Sequence, residues 1–119
     1  SYAFDVSASE VDAAPVIRAV VADVRAGVSP AVISAKFHNG VADLIVSLSL
    51  TWRDRLGLNG VALSGGVFQN IRLLQAATRR LRAEKFAVLT HHLVPPNDGG
   101  LALGQAVICC QRMARAATM

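Results

Sequence analysis

The sequence predicts an α/β fold made of short parallel strands and several α-helices, one of them long. Three observations carry this. The hydrophobic period changes from helical to strand-like at Gly60 and again at Phe86. Each short apolar run leads through a turn into a helical stripe, so residues 60–117 read strand, helix, strand, helix. Upstream of them, one helical pattern extends from Ser29 to Gly57.

Taken in order, Tyr2 to Val6 alternates apolar and polar weakly and reads as a short strand. Asp12 is placed to cap a helix whose first turn tolerates Pro15. Val16, Ile17, Val20, Val21 and Val24 form its apolar stripe, and Gly27 ends it. Ser29 then serves as an N-cap with Pro30 at the first helical position. Ile33, Phe37, Val41, Leu44, Leu48 and Trp52 follow at helical spacing up to the stop at Gly57. A helix of that extent is about 40 Å long at 1.5 Å per residue.

Gly60 to Leu63 reads as a buried strand ending at Ser64-Gly65-Gly66. From Gln69 to Lys85 the stripe Ile71, Leu74, Ala77 and Leu81 returns, with Arg72, Arg79 and Arg82 on the polar side. Phe86 to Leu89 is the second buried strand. Pro95 and Pro96 forbid a helix, Asn97 to Gly100 is a turn, and Leu101 to Ala117 is a mostly apolar helix. This order implies a parallel pair joined by a right-handed crossover. Ligands of such units sit at the carboxyl ends of the strands, where both glycine turns fall.

Composition bounds the function classes. The 119 residues are 53% hydrophobic and 17% charged, which excludes disorder and gives a single domain spanning residues 1–119. The aliphatic surplus points to a face that another segment covers, and the isolated chain is expected to dimerise or aggregate. The most apolar run, Val41 to Trp52, is interrupted by Asp43, Ser47, Ser49 and Thr51. It is too short to span a membrane, and the N-terminus shows no signal peptide. Net charge is +4, divided as −1 over residues 1–60 and +5 over 61–119. A solvated helix face accounts for most of these arginines, although a basic half also suits a phosphate-bearing partner. Cys109 and Cys110 are adjacent and unsuited to a disulfide. They read as buried small hydrophobes in a reducing compartment, with cytoplasm the default.

Two turns carry the candidate chemistry. In Ser64-Gly65-Gly66-Val67-Phe68-Gln69-Asn70 the glycines remove Cβ atoms that would keep a ligand from the backbone. The helix start that follows offers free N–H groups. Asn70 both donates and accepts, as a ribose or purine edge requires. A turn that uses glycine for geometry alone explains the same residues. The segment is neither a Walker A loop nor a dinucleotide fingerprint. In Asn97-Asp98-Gly99-Gly100, Asp98 suits a helix N-cap and equally a metal ligand or phosphate-facing acid. His91-His92 reads as a solvent-facing loop pair, and His38 as a core-edge histidine without a catalytic role. No helical i, i+4 chelating pair of histidines exists.

Together, Leu63-Ser64-Gly65-Gly66-Val67-Phe68-Gln69-Asn70 and Val94-Pro95-Pro96-Asn97-Asp98-Gly99-Gly100-Leu101-Ala102-Leu103-Gly104-Gln105-Ala106 resemble the C-terminal end of the HypF family, the carbamoyltransferases of [NiFe]-hydrogenase maturation. Ala35-Lys36-Phe37-His38-Asn39 also resembles that family, so the similarity covers nearly the whole chain. More distant likeness extends to TsaD-type tRNA-modifying enzymes and antibiotic O-carbamoyltransferases. The resemblance implies part of a lobe of the actin/sugar-kinase/Hsp70-type (ASKHA) fold. It implies a parent enzyme that makes carbamoyl-adenylate from ATP and carbamoyl phosphate. That parent would pass the carbamoyl group to the C-terminal cysteine of HypE, where it becomes a cyanide ligand.

By motif matching, Gly65, Gly66 and Asn70 would bind the nucleotide and Asp98 would be a metal ligand. The family's two metal-binding histidines lie in an upstream lobe, and His38, His91 and His92 do not match them. On this resemblance the chain is a C-terminal fragment, inactive alone. Its partners would be the remaining HypF domains and HypE, with no membrane or nucleic acid. Two other readings are a stand-alone nucleotide-binding regulatory module that pairs with a separate first lobe, and a helical protein-interaction domain.

Overall fold

The computed structural model describes residues 1–7 and 10–116. The chain opens with a two-residue strand, β1 (Asp5–Val6), paired antiparallel with β2 (Val11–Asp12). Helix α1 (Ala14–Arg25) follows, and then α2 (Pro30–Leu56). The parallel unit comprises β3 (Gly60–Leu63), α3 (Ile71–Ala83) and β4 (Ala87–Thr90), with α4 (Leu101–Ala116) at the end. Short 3-10 turns over Gly66–Gln69 and Asp98–Gly100 lead into α3 and α4. The order strand, helix, strand, helix is as the hydrophobic period predicts. Ala117, assigned by the sequence to the last helix, lies outside the described residues.

The first strand is shorter than the sequence reading, and Tyr2 is instead a buried side chain. Its hydroxyl donates to Asp23 Oδ2 at 2.5 Å, and Lys36 Nζ donates to the same oxygen at 2.7 Å. The N-terminal segment lies directly on α2 at Gly40, where a Cβ would stand 2.3 Å from the Tyr2 carbonyl oxygen. Asp12 acts from one residue farther out than a true N-cap: Ala13 holds that position, and Asp12 Oδ1 accepts from Ala14 N–H at 2.7 Å. Ser29 does occupy the N-cap of α2, but its hydroxyl makes no capping hydrogen bond.

The 27 residues of α2 end at Gly57 in the left-handed conformation, φ +67°, as a glycine stop requires. The core forms where α2 and α3 cover one face of the β3–β4 pair. Leu63, Ala77, Leu81 and Phe86 are buried there, with Ile45, Val46 and Leu50 of α2 against them. These α2 positions are not the stripe that dominates its sequence. Phe37 and Trp52 of that stripe are 43% and 51% exposed. The helix is therefore apolar on two sides, and α3 takes the less conspicuous one.

Arg80 fastens this packing. It donates to the Asn39 carbonyl oxygen at 2.9 Å and to Asn39 Oδ1 at 3.0 Å, and it pairs with Asp43. At the far end of α3, Lys85 adopts φ +67°. Phe86 N–H then returns to the Leu81 carbonyl and Lys85 N–H to that of Arg82, a Schellman closure with lysine where glycine is usual.

Two expectations of burial are corrected. The strands are covered on one face only, because α2 and α3 lie on the same side. Ala62 and Leu89 on the other face are exposed. Cys109 and Cys110 are exposed rather than buried, since every described position of α4 faces solvent. The radius of gyration is 18.1 Å, against about 13–14 Å for a compact domain of this length. No helix among the described residues is long and apolar enough to cross a membrane.

Candidate functional site

The register Leu63↔Thr90 aligns the carboxyl ends of β3 and β4. The two strands therefore release their following loops side by side. At Gly65 the backbone takes φ +102°, ψ 158°, a conformation open essentially to glycine. This turns the chain so that Gly65 N–H donates to the Pro96 carbonyl at 2.7 Å. That single bond joins the two glycine turns, 31 residues apart in the chain but on one sheet edge. Gly66 packs beside Asn97, whose Cβ lies 3.9 Å from where a Gly66 Cβ would stand.

The second turn is tightly built. Asn97 Oδ1 accepts from Gly99 N–H at 3.1 Å. A Cβ on Gly100 would come within 2.9 Å of the Pro95 carbonyl oxygen. Glycine at this point is a requirement of close approach. Asn97, and not Asp98, holds the N-cap position of the 3-10 turn that leads into α4. The reading of Asp98 as a cap is therefore corrected: one residue earlier, an amide oxygen already serves the turn. The Asp98 carboxylate has no hydrogen-bond or ion-pair partner among the described residues.

Between the turns lies a cleft of about 320 Å³, lined among others by Ser64, Gly65, His91, Pro96, Asp98 and Gln105. Its volume reaches the lower end of the range for small-molecule sites. A larger groove, about 700 Å³, follows Arg72, Arg79 and Arg82 on α3, but neither glycine turn reaches it. The strand ends place the candidate site in the smaller cleft.

Gly65 and Asp98 both line this cleft, and Gly66 adjoins it. Asn70 does not line it. Asn70 is the N-cap of α3, where its Oδ1 accepts from Leu73 N–H at 3.2 Å. Its Nδ2 lies 2.8 Å from His38 Nε2 on α2.

Two pairings escaped the sequence reading. His91 Nε2 lies 2.9 Å from Ser64 Oγ, so His91 is part of the cleft wall although its ring is exposed. A signal for this existed. In a parallel pair with aligned ends, the residues following each strand become neighbours. The His38–Asn70 contact spans 32 residues and had no local signal. His92 remains a loop residue and meets Thr90 Oγ1 at 3.1 Å.

A metal would find one free carboxylate here. Among the described residues no group of three or more His, Cys, Asp or Glu side chains could hold an ion. Asp98 could serve as one ligand, but the described residues do not by themselves make a metal site.

Comparison with known proteins gives a consistent picture. Residues 1–105 match a family model described as the carbamoyltransferase Kae1-like domain, second subdomain. Carbamoyltransferase HypF of Synechocystis is 36% identical over 95 residues, covering 80% of this chain and 12% of that protein. Carbamoyltransferase HypF2 of Cupriavidus necator is 34% identical over 101 residues, covering 85% of this chain and 12% of its own length. A crystal structure of full-length HypF in the phosphate- and nucleotide-bound form superposes with a TM-score of 0.87 at 37% identity. That match covers 95% of this chain and 15% of the other. The chain thus spans about an eighth of the length of these curated relatives.

Proposed function

The chain belongs to the HypF carbamoyltransferase family, as the second subdomain of its Kae1-like domain, and from that premise we propose that it forms one wall of a nucleotide site serving carbamoyl transfer. The observation that carries this reading is the junction of the two glycine turns by the Gly65–Pro96 hydrogen bond, with the unpaired Asp98 carboxylate beside it. A backbone free of Cβ atoms at Gly65 and Gly66 allows close approach by a phosphate or ribose. Asn70 stands outside the cleft, at the start of α3; it meets the part of the nucleoside that extends past the Gly65–Gly66 turn, through the amide hydrogen and oxygen lone pair that its cap and histidine contacts leave free.

Asp98 is one ligand of a divalent ion, which when bound would offset phosphate charge. The nucleotide is ATP, and the co-substrate is carbamoyl phosphate. Water cleaves carbamoyl phosphate to carbamate and inorganic phosphate, and the carbamate oxygen attacks the α-phosphorus of ATP with pyrophosphate leaving. The carbamoyl-adenylate gives its carbamoyl group to the C-terminal cysteine of HypE in hydrogenase maturation, releasing AMP. The full-length relative named as phosphate- and nucleotide-bound supports the choice of ligand class. The remaining HypF domains are the partners that complete the site, and the protein works in the cytoplasm.

Adenylate formation releases pyrophosphate, which distinguishes it from simple ATP hydrolysis. The full-length protein is expected to convert ATP to AMP and pyrophosphate only when carbamoyl phosphate is present. Conversion to ADP and phosphate, or release that ignores carbamoyl phosphate, would overturn the assignment.

A further inference from the structure

The long helix α2 reaches the start of α3 through one ring. His38 Nδ1 lies 2.7 Å from the Ser34 carbonyl oxygen. A carbonyl only accepts, so Nδ1 carries the proton and Nε2 is left with a lone pair. Asn70 Nδ2, 2.8 Å away, therefore donates to Nε2. At the other end of the same amide, Oδ1 accepts from Leu73 N–H at 3.2 Å. The Ser34 carbonyl and the Leu73 N–H each admit one role only, and the Ser34 hydroxyl, 3.4 Å from Nδ1, adapts to either and leaves the shorter carbonyl contact to fix the proton. Flipping the amide would set its oxygen against the Nε2 lone pair and its NH2 against the Leu73 N–H.

We propose that His38 is a positioning residue that fixes the orientation of the Asn70 amide for nucleotide binding, an inference that rests on the nucleotide reading of Asn70 given above. With both ends held, one amide hydrogen and one oxygen lone pair remain for a ligand, in a set order. A site that recognises a hydroxyl or a purine edge needs that order settled before binding, because an amide free to rotate loses affinity to the cost of ordering it. The spacing of the ring from α3 is itself secured. Asn39, the next residue, receives two hydrogen bonds from Arg80 of α3 at 2.9 and 3.0 Å.

The test uses ATP KM and kcat in carbamoyl-phosphate-dependent pyrophosphate release by the full-length protein. His38→Gln keeps an acceptor near the Nε2 position. His38→Asn keeps a donor near Nδ1 for the Ser34 carbonyl but leaves Asn70 without its acceptor. His38→Asn and His38→Ala are expected to raise KM about fivefold, as for the loss of one neutral hydrogen bond. Their kcat is expected to change by less than about twofold, the pattern of lost binding rather than lost chemistry. His38→Gln is expected to recover most of the loss, which a merely structural role would not produce.

Asn70→Ser serves as the reference, since serine still caps α3 but carries no amide; it is expected to raise KM at least as much as His38→Asn. If Asn70→Ser leaves KM unchanged, the nucleotide assignment of Asn70 fails and the inference falls with it. If Asn70→Ser raises KM but His38→Asn does not, or if His38→Gln is as impaired as His38→Asn, the positioning role is overturned while the nucleotide reading stands.

Discussion

At Asp98 the difference between a structural and a chemical role is now measurable. Because Asn97 holds the cap position, removing the Asp98 carboxylate should cost little in stability. Asp98→Ala and Asp98→Asn in the full-length protein are expected to melt within about 0.5 kcal/mol of the parent, the usual range for surface changes. Both are expected to lose bound metal and carbamoyl transfer. A variant that keeps both would remove Asp98 from the site. Lys85 makes a second prediction at this scale. A non-glycine residue in the left-handed region costs roughly 1–2 kcal/mol, and Lys85 pays that at the closure of α3. Lys85→Gly should stabilise the protein by about 1 kcal/mol in chemical denaturation. A destabilised variant would show that the lysine side chain contributes more than its backbone costs. At Asn70, by contrast, capping and the proposed ligand contact reside in one side chain, and only an amide-free cap such as serine separates them.

Among the elements, the N-terminal segment depends on a small polar triad. The Lys36 ammonium first, and then the Tyr2 hydroxyl, hold the Asp23 carboxyl below its ordinary value of 3.8. Burial first, then the hydrogen bond and charge of Asp23, push the Tyr2 phenol up to about 12. The lowered Asp23 contributes stability above its ordinary value, which is lost as pH falls through the lower folded value. The raised Tyr2 contributes fully below its ordinary value of 10.0, and this is lost as pH rises toward about 12. Docking of the segment is therefore strongest between about pH 4 and 10. Tyr2 is the single tyrosine of these 119 residues, so ultraviolet titration of phenolate in the isolated chain reads it alone. Gly40→Ala should bring that titration back toward 10.0, because a Cβ would stand 2.3 Å from the Tyr2 carbonyl and lift the segment off α2. A titration unchanged by the substitution would mean that α2 yields instead.

Over the whole molecule, apolar surface outruns the covering available within the described residues. The stripe of α1 faces a groove of about 590 Å³ shared with Ile33 and Phe37 of α2. Ile17 and Val24 are 62% and 60% exposed. The outer face of the strand pair and all described positions of α4 are also bare. Patches of this kind associate, so the isolated 119-residue chain should sediment as a dimer or larger species. A monomer at high concentration would count against it. The same isolated chain should bind no metal tightly and cleave no ATP, since its one free carboxylate at the cleft is an incomplete donor set. Stoichiometric metal or ATP turnover in that preparation would contradict the reading.

What the sequence determined by itself is what local chemistry controls. Periodicity located α2 between Ser29 and Gly57. The change of period located β3 and its partner strand. Gly65 and Gly100 marked the turns, because one adopts a backbone conformation that side chains rarely allow and the other meets a carbonyl where a Cβ would be. The motifs around them were sufficient to point to the family. Tertiary structure alone decided which side of α2 became core, since a helix apolar on two sides carries no local sign of the face α3 will take. It also decided the cap of the second turn, where Asn97 and Asp98 are equally suited by composition and only backbone direction separates them. Most of all it decided the partners of Asn70. An amide shows in sequence that it can donate and accept, but which end does which depends on a histidine 32 residues away, brought there by the packing of α2 on α3.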